Sequence, residues 1–342
     1  MNFQQLRYVR SAVQNDLNLT KVAGQLYTSQ SGVSKQIKEL EAQLNLDIFV
    51  RRGKRLTGVT EAGRSVVEVI ERLLQEADNL KKLSEQFTQA DRGRLIIATT
   101  HNQASYVLPQ VLLRFSRAFP DVEVELRQSS PSEIADALLH GEADIGIATE
   151  AIDGHQELLT FPCFTWEHVA VVPPDHPLAV LPKVTLEDIA RYPIITYSAD
   201  YTGRSRINAA FEEAGLEPDI RLTAVDADVI KTYVKLGMGI GIVAQMAIEA
   251  DISETLVPLA GSHRLFPQSS TKLAFPSGAL LRNYTYHLIE SLAPHLTEQK
   301  IRKIARGLTV DTSVLVQTYA ERKDLHPGWA EEAPELIASE AA

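Results

Sequence analysis

Residues 28–41 combine a capped helix start with short polar side chains and cations. Thr28 and Ser29 carry hydroxyls that can accept hydrogen bonds from the free N–H groups of a first helical turn. Short donors and acceptors followed by lysines are typical of a helix that reads base edges in the major groove and neutralises phosphates. The residues that we predict to contact DNA from this helix are Ser29, Gln30, Ser31, Ser34, Lys35 and Lys38.

The opposite side of this helix is apolar. Val33, Ile37, Leu40 and Leu44 recur at spacings of four, three and four residues, which predicts one buried helix face. A capped surface helix would explain the segment equally well if it stood alone. The interpretation as a DNA-reading helix therefore depends on its neighbours.

A shorter helix is predicted directly before it, over residues 19–27, and a supporting helix over residues 2–16. The few residues around Tyr27 force a sharp crossing, as in a helix-turn-helix, and the small side chain of Ala23 permits close approach. Cations then surround a glycine, which indicates a basic wing along the phosphates. The wing residues that we predict to contact DNA are Arg51, Arg52, Lys54 and Arg55.

The charge of the chain is unevenly distributed. Its 342 residues carry a net charge of −10, but residues 1–64 hold ten Lys or Arg against five Asp or Glu, so residues 65–342 carry −15. A basic module on an acidic remainder fits DNA contact at one end. A single cysteine, Cys163, excludes an internal disulfide and is best explained as a buried thiol. Without a signal peptide or a membrane-length apolar run, we expect a soluble cytoplasmic protein.

The polar stretch that follows carries a narrow apolar stripe with an average spacing of 3.5 residues, typical of a coiled-coil seam. We expect this helix to dimerise the DNA-binding module; the alternative is a helix packed on its own domain. A hinge is predicted at residues 91–93. The apolar positions of the stripe are Val66, Ile70, Leu73, Ala77, Leu80 and Phe87.

From residue 93 onward, strand-length apolar runs alternate with helical patterns, which predicts parallel sheets with helices on their faces. The chain returns to its first sheet, so two lobes leave a ligand cleft between them. Lobe I covers about residues 93–164 and 266–296, and lobe II about 165–265. The predicted segments are a winged helix-turn-helix domain at 1–59, a linker helix at 60–92, an effector-binding domain at 93–296 and an extension at 297–342, helical over 297–308 and mobile at its end.

Polar side chains end several of the predicted strands, where they would face the cleft. A run of hydroxyls and amides before a helix suits a small anion, such as a carboxylate or an oxyanion. The alternative for each Ser or Thr is a plain helix cap. The cleft residues predicted on this basis are Thr100, Asn102, Gln103, Ser129, Thr149 and Thr202.

Other motifs give no support for catalysis, a metal or a bound cofactor. The glycine-rich residues 237–241 follow a helix and lead into a strand, the reverse of a dinucleotide-binding loop. Asp226, Asp228 and Glu150 lack accompanying His or Cys at metal-ligand spacing. No serine elbow or Cys-His arrangement of hydrolase type is present. We therefore predict that the chain is not an enzyme.

The chain resembles the LysR-type transcriptional regulators, and within them the cysteine-regulon branch. The broad family is indicated by the motifs at residues 19–23, 27–41, 46–51 and 57–63. The branch is indicated by the stretches at residues 4–8, 97–103, 147–151, 202–205, 223–234 and 294–297. The resemblance covers nearly the whole chain except its last thirty or so residues.

This resemblance implies a periplasmic-binding-protein-like effector domain and a homotetrameric activator of sulfur-assimilation and cysteine-biosynthesis genes. Its inducer would be N-acetylserine, opposed by sulfide or thiosulfate, with O-acetylserine and sulfate as related effectors. Promoter DNA and further copies of the chain are the expected partners, and RNA polymerase is a candidate partner. The residues that the resemblance places against the ligand are Thr100, Gln103, Thr149, Trp166 and Thr202.

Three positions depart from the pattern of the branch. Asn102 stands where Thr is usual, Ser105 where Arg is common, and Ser31 where relatives often have Pro at a helix start. The first two departures bear on the choice of effector. One alternative is therefore a LysR-type regulator of another pathway that senses a different small anionic metabolite. Another is an enzyme or transport component with a borrowed DNA-binding module.

Overall fold

The structure, a computed structural model, describes residues 1–53, 55–88, 91–199, 202–249, 255–305, 308 and 316–326. It divides into two compact units. The first contains Met1–Thr88 and Gly278–Leu280, and the second contains Gln89–Ser277 and Leu281–Ala342. None of the helices in the described ranges has the length and apolar composition needed to cross a membrane.

The first unit is a three-helix module with a two-stranded antiparallel wing and a long final helix. Its elements, in chain order, are α1 (Phe3–Gln14), α2 (Leu19–Gln25), α3 (Gln30–Leu44), β1 (Phe49–Arg52), β2 (Arg55–Val59) and α4 (Glu61–Thr88).

The start of α3 is fixed by its cap. Ser29, not Thr28, is the N-cap residue, and its Oγ accepts a hydrogen bond from the Gly32 N–H at 3.1 Å. The predicted apolar face is buried from Val33 to Leu40. The prediction for Leu44 is wrong: its side chain is 37% exposed because it is the last residue of the helix, before the left-handed Asn45.

A buried carboxylate holds the wing against α3. Glu41 accepts hydrogen bonds from the backbone N–H groups of Ile48 and Phe49, each at 3.0 Å, and pairs with the Arg51 guanidinium at 2.5 Å. These three donors satisfy a charge that would otherwise be costly to bury. Glu41 therefore sets where the first wing strand leaves the recognition helix.

Helix α4 divides the predicted coiled-coil stripe between two environments. Ile70 and Leu74 are buried in the core of the first unit. The part of α4 around these residues is therefore packed on its own domain, which was the alternative to a coiled-coil seam. Leu73 and Leu80 are 41% and 69% exposed in the single chain. The seam prediction is therefore wrong for Ile70, because α1 covers that side of α4.

The second unit contains two five-stranded sheets with helices packed on them. Its elements are β3 (Gly93–Thr99), α5 (His101–Tyr106), α6 (Leu108–Ala118), β4 (Val122–Gln128), α7 (Pro131–Leu139), β5 (Ile145–Thr149), β6 (Leu158–Trp166), β7 (His168–Val172), α8 (Leu186–Ile189), β8 (Ile194–Tyr197), α9 (Thr202–Glu213), β9 (Ile220–Ala224), α10 (Ala227–Lys235), β10 (Ile240–Ala244), α11 (Met246–Glu249), β11 (Val257–Pro258), β12 (Ser269–Pro276), α12 (Asn283–Leu292) and α13 (Glu298–Ala305).

The sheets are mixed, so the prediction of parallel sheets is wrong in part. The strand order is β4-β3-β5-β12-β6 in lobe I and β11-β7-β10-β8-β9 in lobe II. β12 runs antiparallel to β5 and β6, and β7 runs antiparallel to β10. The chain crosses to lobe II between β6 and β7 and returns through β12, and these crossing segments impose the opposite strand direction.

Two local predictions are corrected. The polar run expected before a helix forms a short helix of its own, α5, and α6 begins separately because Pro109 in its first turn supplies no N–H to continue α5. Helix α13 ends at Ala305, before the predicted end at residue 308. The predicted mobile end at 330–342 lies outside the described residues.

The contacts of Glu41 generate a prediction. Changing Glu41→Gln is expected to speed amide hydrogen exchange at Ile48 and Phe49 by about ten- to a hundredfold. The reason is that a hydrogen bond from an N–H group to a charged carboxylate contributes about 1–3 kcal/mol. Glu39→Gln is the control, since its carboxylate lies 3.8 Å from Lys35 on the exposed side. Equal exchange in wild type and Glu41→Gln protein would show that this carboxylate does not hold the wing.

Candidate functional site

The first candidate surface lies on the first unit, along the start of α3 and the wing. Gln30, Ser31, Lys35 and Lys38 are exposed, and Ser34 is half-buried beside them. An open groove brings these five predicted residues together with Arg51 of the wing. The cap residue Ser29 is also exposed, and its Oγ lies 3.2 Å from that of Ser31.

The wing cations have different environments. Arg51 is paired with the buried Glu41 at the edge of the groove, and its contact with DNA stays a prediction. Arg52 and Arg55 are both exposed and lie opposite each other in the hairpin, beside the left-handed Gly53 turn. Lys54 lies outside the described residues. Two exposed guanidiniums at the tip of the wing are suited to phosphate contact.

The second candidate site is a cleft between the two sheets of the second unit. It has a volume of about 30 Å³ and receives side chains from both lobes. Of the sequence-predicted residues, Thr100, Asn102, Gln103, Thr149 and Trp166 line it. The residues that sequence reasoning missed are His101, Pro131, Tyr197, Gly203 and Val225.

Two predicted cleft residues are absent from the described lining. Ser129 does not line the cleft: its N–H bonds the Thr99 carbonyl at the end of β4, and the adjacent Ser130 caps α7. The side chain of Thr202 lies outside the described part of the structure, although its neighbour Gly203 lines the cleft. Tyr197 ends strand β8, so the rule that located Thr149 at the end of a strand could also have found it.

The cleft contains buried polar atoms without protein partners. Gln103 is fully buried, and neither its amide nitrogen nor its oxygen is bonded within the described residues. The same holds for the Trp166 Nε1 and the Asn102 Oδ1. Thr100 occupies the N-cap position of α5, but its side chain makes no capping bond. Since buried polar groups are nearly always satisfied, these atoms indicate a place for a polar ligand or water.

One hydrogen bond joins the lobes across this cleft. The Asn102 amide donates to the Tyr197 hydroxyl at 3.0 Å, and the same oxygen accepts from the Ala244 N–H at 2.9 Å. Burial raises the pKa of Tyr197 to about 12, so the hydroxyl keeps its proton at neutral pH. The contact therefore ties α5 of lobe I to β8 and β10 of lobe II.

Charged contacts also bridge the lobes beside the cleft. The Tyr106 hydroxyl donates to Asp228 at 2.8 Å, and Lys231 lies 3.0 Å from the same carboxylate. Burial would raise the pKa of Asp228, but hydrogen bonds from Lys231 and Tyr106 hold it below its ordinary value. Arg206 of lobe II likewise pairs with Glu150 of lobe I.

The charged contacts also bear on metal binding. His101, Asp226 and Asp228 place ligand atoms within 4.8 Å of one another. However, Asp226 caps α10 by accepting a hydrogen bond from the Val229 N–H. Asp228 already accepts a hydrogen bond from the Tyr106 hydroxyl and pairs with Lys231. A cation there would compete with an ammonium group, so the arrangement supports a structural network.

His168 is a functional candidate that sequence reasoning missed. It is fully buried at the start of β7, with its ring 4.8 Å from that of Trp166, and neither ring nitrogen is bonded within the described ranges. Burial, with a contribution from Arg206, lowers its pKa to about 3. Gly203 permits this packing, because a Cβ there would lie 2.8 Å from the His168 Nε2.

Comparison with known protein families agrees with this architecture. The model of the LysR substrate binding domain matches residues 88–297, and that of the bacterial regulatory helix-turn-helix protein, lysR family, matches residues 3–64. The chain belongs to the LysR family. The predicted membership and the predicted combination of a helix-turn-helix domain with an α/β effector-binding domain are confirmed.

Individual LysR relatives cover most of the chain. The HTH-type transcriptional regulator SsuR of Burkholderia cenocepacia is 56% identical over 306 residues, covering 90% of this chain and 99% of that protein. The regulator CysB of the same organism is 48% identical over 309 residues, covering 90% and 98%. The crystal structure of the cofactor-binding domain of the Cbl transcriptional regulator has a TM-score of 0.60 at 46% identity, covering 63% of this chain and 93% of that chain. These relatives are transcriptional regulators, which confirms the prediction of a regulator rather than an enzyme.

The environment of His168 predicts a pH dependence. Its folded-state pKa of about 3 lies below the ordinary value of 6.5, so the stability that it contributes is present above pH 6.5 and is lost as the pH falls toward 3. Between pH 7 and pH 5 the wild type should lose about 2 kcal/mol more than a His168→Leu variant. Thermal unfolding midpoints of both proteins at the two pH values measure this difference. Parallel pH profiles would contradict a buried neutral histidine.

Proposed function

We propose that this LysR-family chain binds promoter DNA as an oligomer and activates sulfur-assimilation and cysteine-biosynthesis genes in response to a small anion such as N-acetylserine. Related effectors within the proposal are O-acetylserine, sulfate and thiosulfate. The single observation that carries the effector part is the fully buried Gln103 amide, which has no partner within the described residues. The similarity to SsuR and CysB supports the assignment of the pathway.

The DNA-binding part is supported by the surface of the first unit. Exposed short polar side chains at the start of α3 can reach base edges, while Lys38, Arg52 and Arg55 can neutralise phosphates. The net charge of +5 on residues 1–64 favours double-stranded DNA despite the acidic remainder of the chain.

Self-association is supported by the outer face of α4. Val69, Leu73, Leu80 and Leu83 are between 41% and 69% exposed, and they recur at intervals that place them on one side of the helix. Pairing of two such helices would cover these side chains and join two DNA-binding modules. Further pairing of effector domains would give the homotetramer that the family resemblance implies.

The chemistry of the cleft supports a small anionic ligand. The Thr100 hydroxyl, the Gln103 amide and the Trp166 indole N–H are all donors, and the indole can only donate. Its described lining contains no Lys or Arg, so neutral donors would compensate the charge of the ligand. A ligand that contacts both lobes favours the closed arrangement, and the response requires that it bind this arrangement better than others.

A second candidate is a regulator of another pathway that senses a different small anionic metabolite. The observation that favours it is Asn102: its nitrogen is used by Tyr197, and its oxygen is an unpaired acceptor. A threonine hydroxyl at this position could donate instead. The cleft therefore suits an anion that also carries a donor group, which sulfate and thiosulfate lack.

The exposed wing predicts a specific effect on DNA binding. Arg52→Ala is expected to weaken binding to a promoter fragment that wild-type protein binds, and to lower the salt slope by about 0.9, because one phosphate contact is lost. Fluorescence anisotropy over a series of salt concentrations measures both quantities. Arg117→Ala, which removes an exposed cation of α6, is the control. An unchanged slope in Arg52→Ala protein would exclude this phosphate contact.

The cleft predicts a separate effect on effector binding. Thr100→Ala is expected to weaken binding of N-acetylserine about tenfold, because one buried hydrogen bond is lost, while promoter affinity stays unchanged. Isothermal titration with N-acetylserine, O-acetylserine, sulfate and thiosulfate measures the effect and ranks the ligands. Ser129→Ala is the matched control, since this hydroxyl lies outside the cleft lining. Wild-type affinity in Thr100→Ala protein would argue against the proposed binding mode.

A further inference from the structure

We propose that Tyr319 is a positioning residue for the effector cleft, which it does not line. It belongs to the segment 316–326, here termed the C-terminal strap, beyond the last residue matched by either family model. The inference rests on the proposed function, in which the cleft binds a small anion. The strap holds two walls of that cleft at a fixed separation.

The first contact of the strap is with strand β6. The Thr165 N–H donates to the Gln317 carbonyl at 3.0 Å, and the Tyr319 N–H donates to the Thr165 carbonyl at 2.6 Å. These bonds form a parallel bridge between Thr165 and Thr318. Because β6 is the outermost strand of its sheet, the strap covers its edge. The next residue of β6 is Trp166, which lines the cleft.

The second contact is made by the Tyr319 side chain. Its ring is fully buried, with its centroid 5.9 Å from that of Phe164 and 4.6 Å from the stacked His326 ring. Its hydroxyl lies 3.5 Å from the carbonyl oxygen of Tyr106, at the outer limit of a hydrogen bond. Tyr106 is the last residue of α5, the helix that carries Gln103 into the cleft.

A buried cation anchors the strap. Arg322 is 3% exposed and donates to the carbonyl oxygens of Leu292 at 2.7 Å and Ser291 at 3.1 Å, at the end of α12. A cation is favourable at this end of a helix, where carbonyls lack partners. Asp324 balances the charge with two bonds of 2.8 Å, and Arg114 donates to the Asp324 carbonyl.

These contacts connect the strap to both sides of the binding site. β6 presents Trp166 and α5 presents Gln103, and Tyr319 contacts one residue of each element, Phe164 and Tyr106. Truncating the ring would leave a void beside Phe164, and the walls around it would relax. A phenylalanine would keep the ring packing and lose the hydroxyl, with its long contact to Tyr106.

The test uses the full chain with Trp329→Phe, which leaves Trp166 as its only tryptophan. In this background Tyr319→Ala should raise acrylamide quenching of Trp166 and weaken N-acetylserine binding about tenfold, with promoter affinity unchanged. Tyr319→Phe should restore both values. Phe115→Ala, which truncates another fully buried ring of the same unit, is the control for destabilisation and should change neither.

Two results would overturn the proposal. One is a Tyr319→Ala protein that melts earlier but keeps wild-type quenching and effector affinity, since the ring would then act on stability alone. The other is an equal rise in quenching in Phe115→Ala protein. If wild-type protein binds none of the four ligands, the proposed effector function fails, and quenching alone decides the positioning role: a selective rise supports it and no rise overturns it.

Discussion

A buried amide without a protein partner is the constraint on which the second unit depends. Leaving such a group unsatisfied costs about 1–3 kcal/mol, so a fold keeps one only where a ligand or water completes it. Gln103 lies in this position beside a continuous core of buried apolar residues from both lobes. Trp166 and His168 repeat the pattern on either side of the crossing from β6 to β7. These unbonded polar groups therefore lower the stability of the ligand-free protein and remain available to bind a ligand.

In the first unit, by contrast, the buried carboxylate of Glu41 has protein partners. Glu41 receives two backbone N–H groups and a guanidinium, so its charge is satisfied by the protein itself and serves to hold the wing. Arg52 and Arg55 at the wing tip are left exposed, where we propose that they contact phosphates. The satisfied carboxylate of Glu41 therefore has a structural role, whereas the unbonded amide of Gln103 is the group to which we assign the proposed effector binding.

Sequence patterns predicted the parts that depend on local chemistry. The cap at Ser29, the apolar spacing of α3 and the polar ends of β3 and β5 are all encoded by neighbouring residues. They could not predict that His168 is buried against Gly203, because tertiary packing brings these two residues together. The direction of β12 and the packing of Tyr319 against β6 likewise depend on tertiary contacts. Leu44 was misplaced because periodicity alone does not show where a helix ends.

The most direct test of the central claim is the thermal unfolding midpoint of Gln103→Leu protein, with and without saturating effector. If the amide is kept for a ligand, the ligand-free variant should be more stable than wild type by about 1–3 kcal/mol, because an unpaired polar group is removed. The variant should also lose the stabilisation that N-acetylserine gives to wild type. A variant that is less stable without ligand, yet gains as much from ligand as wild type does, would contradict the account.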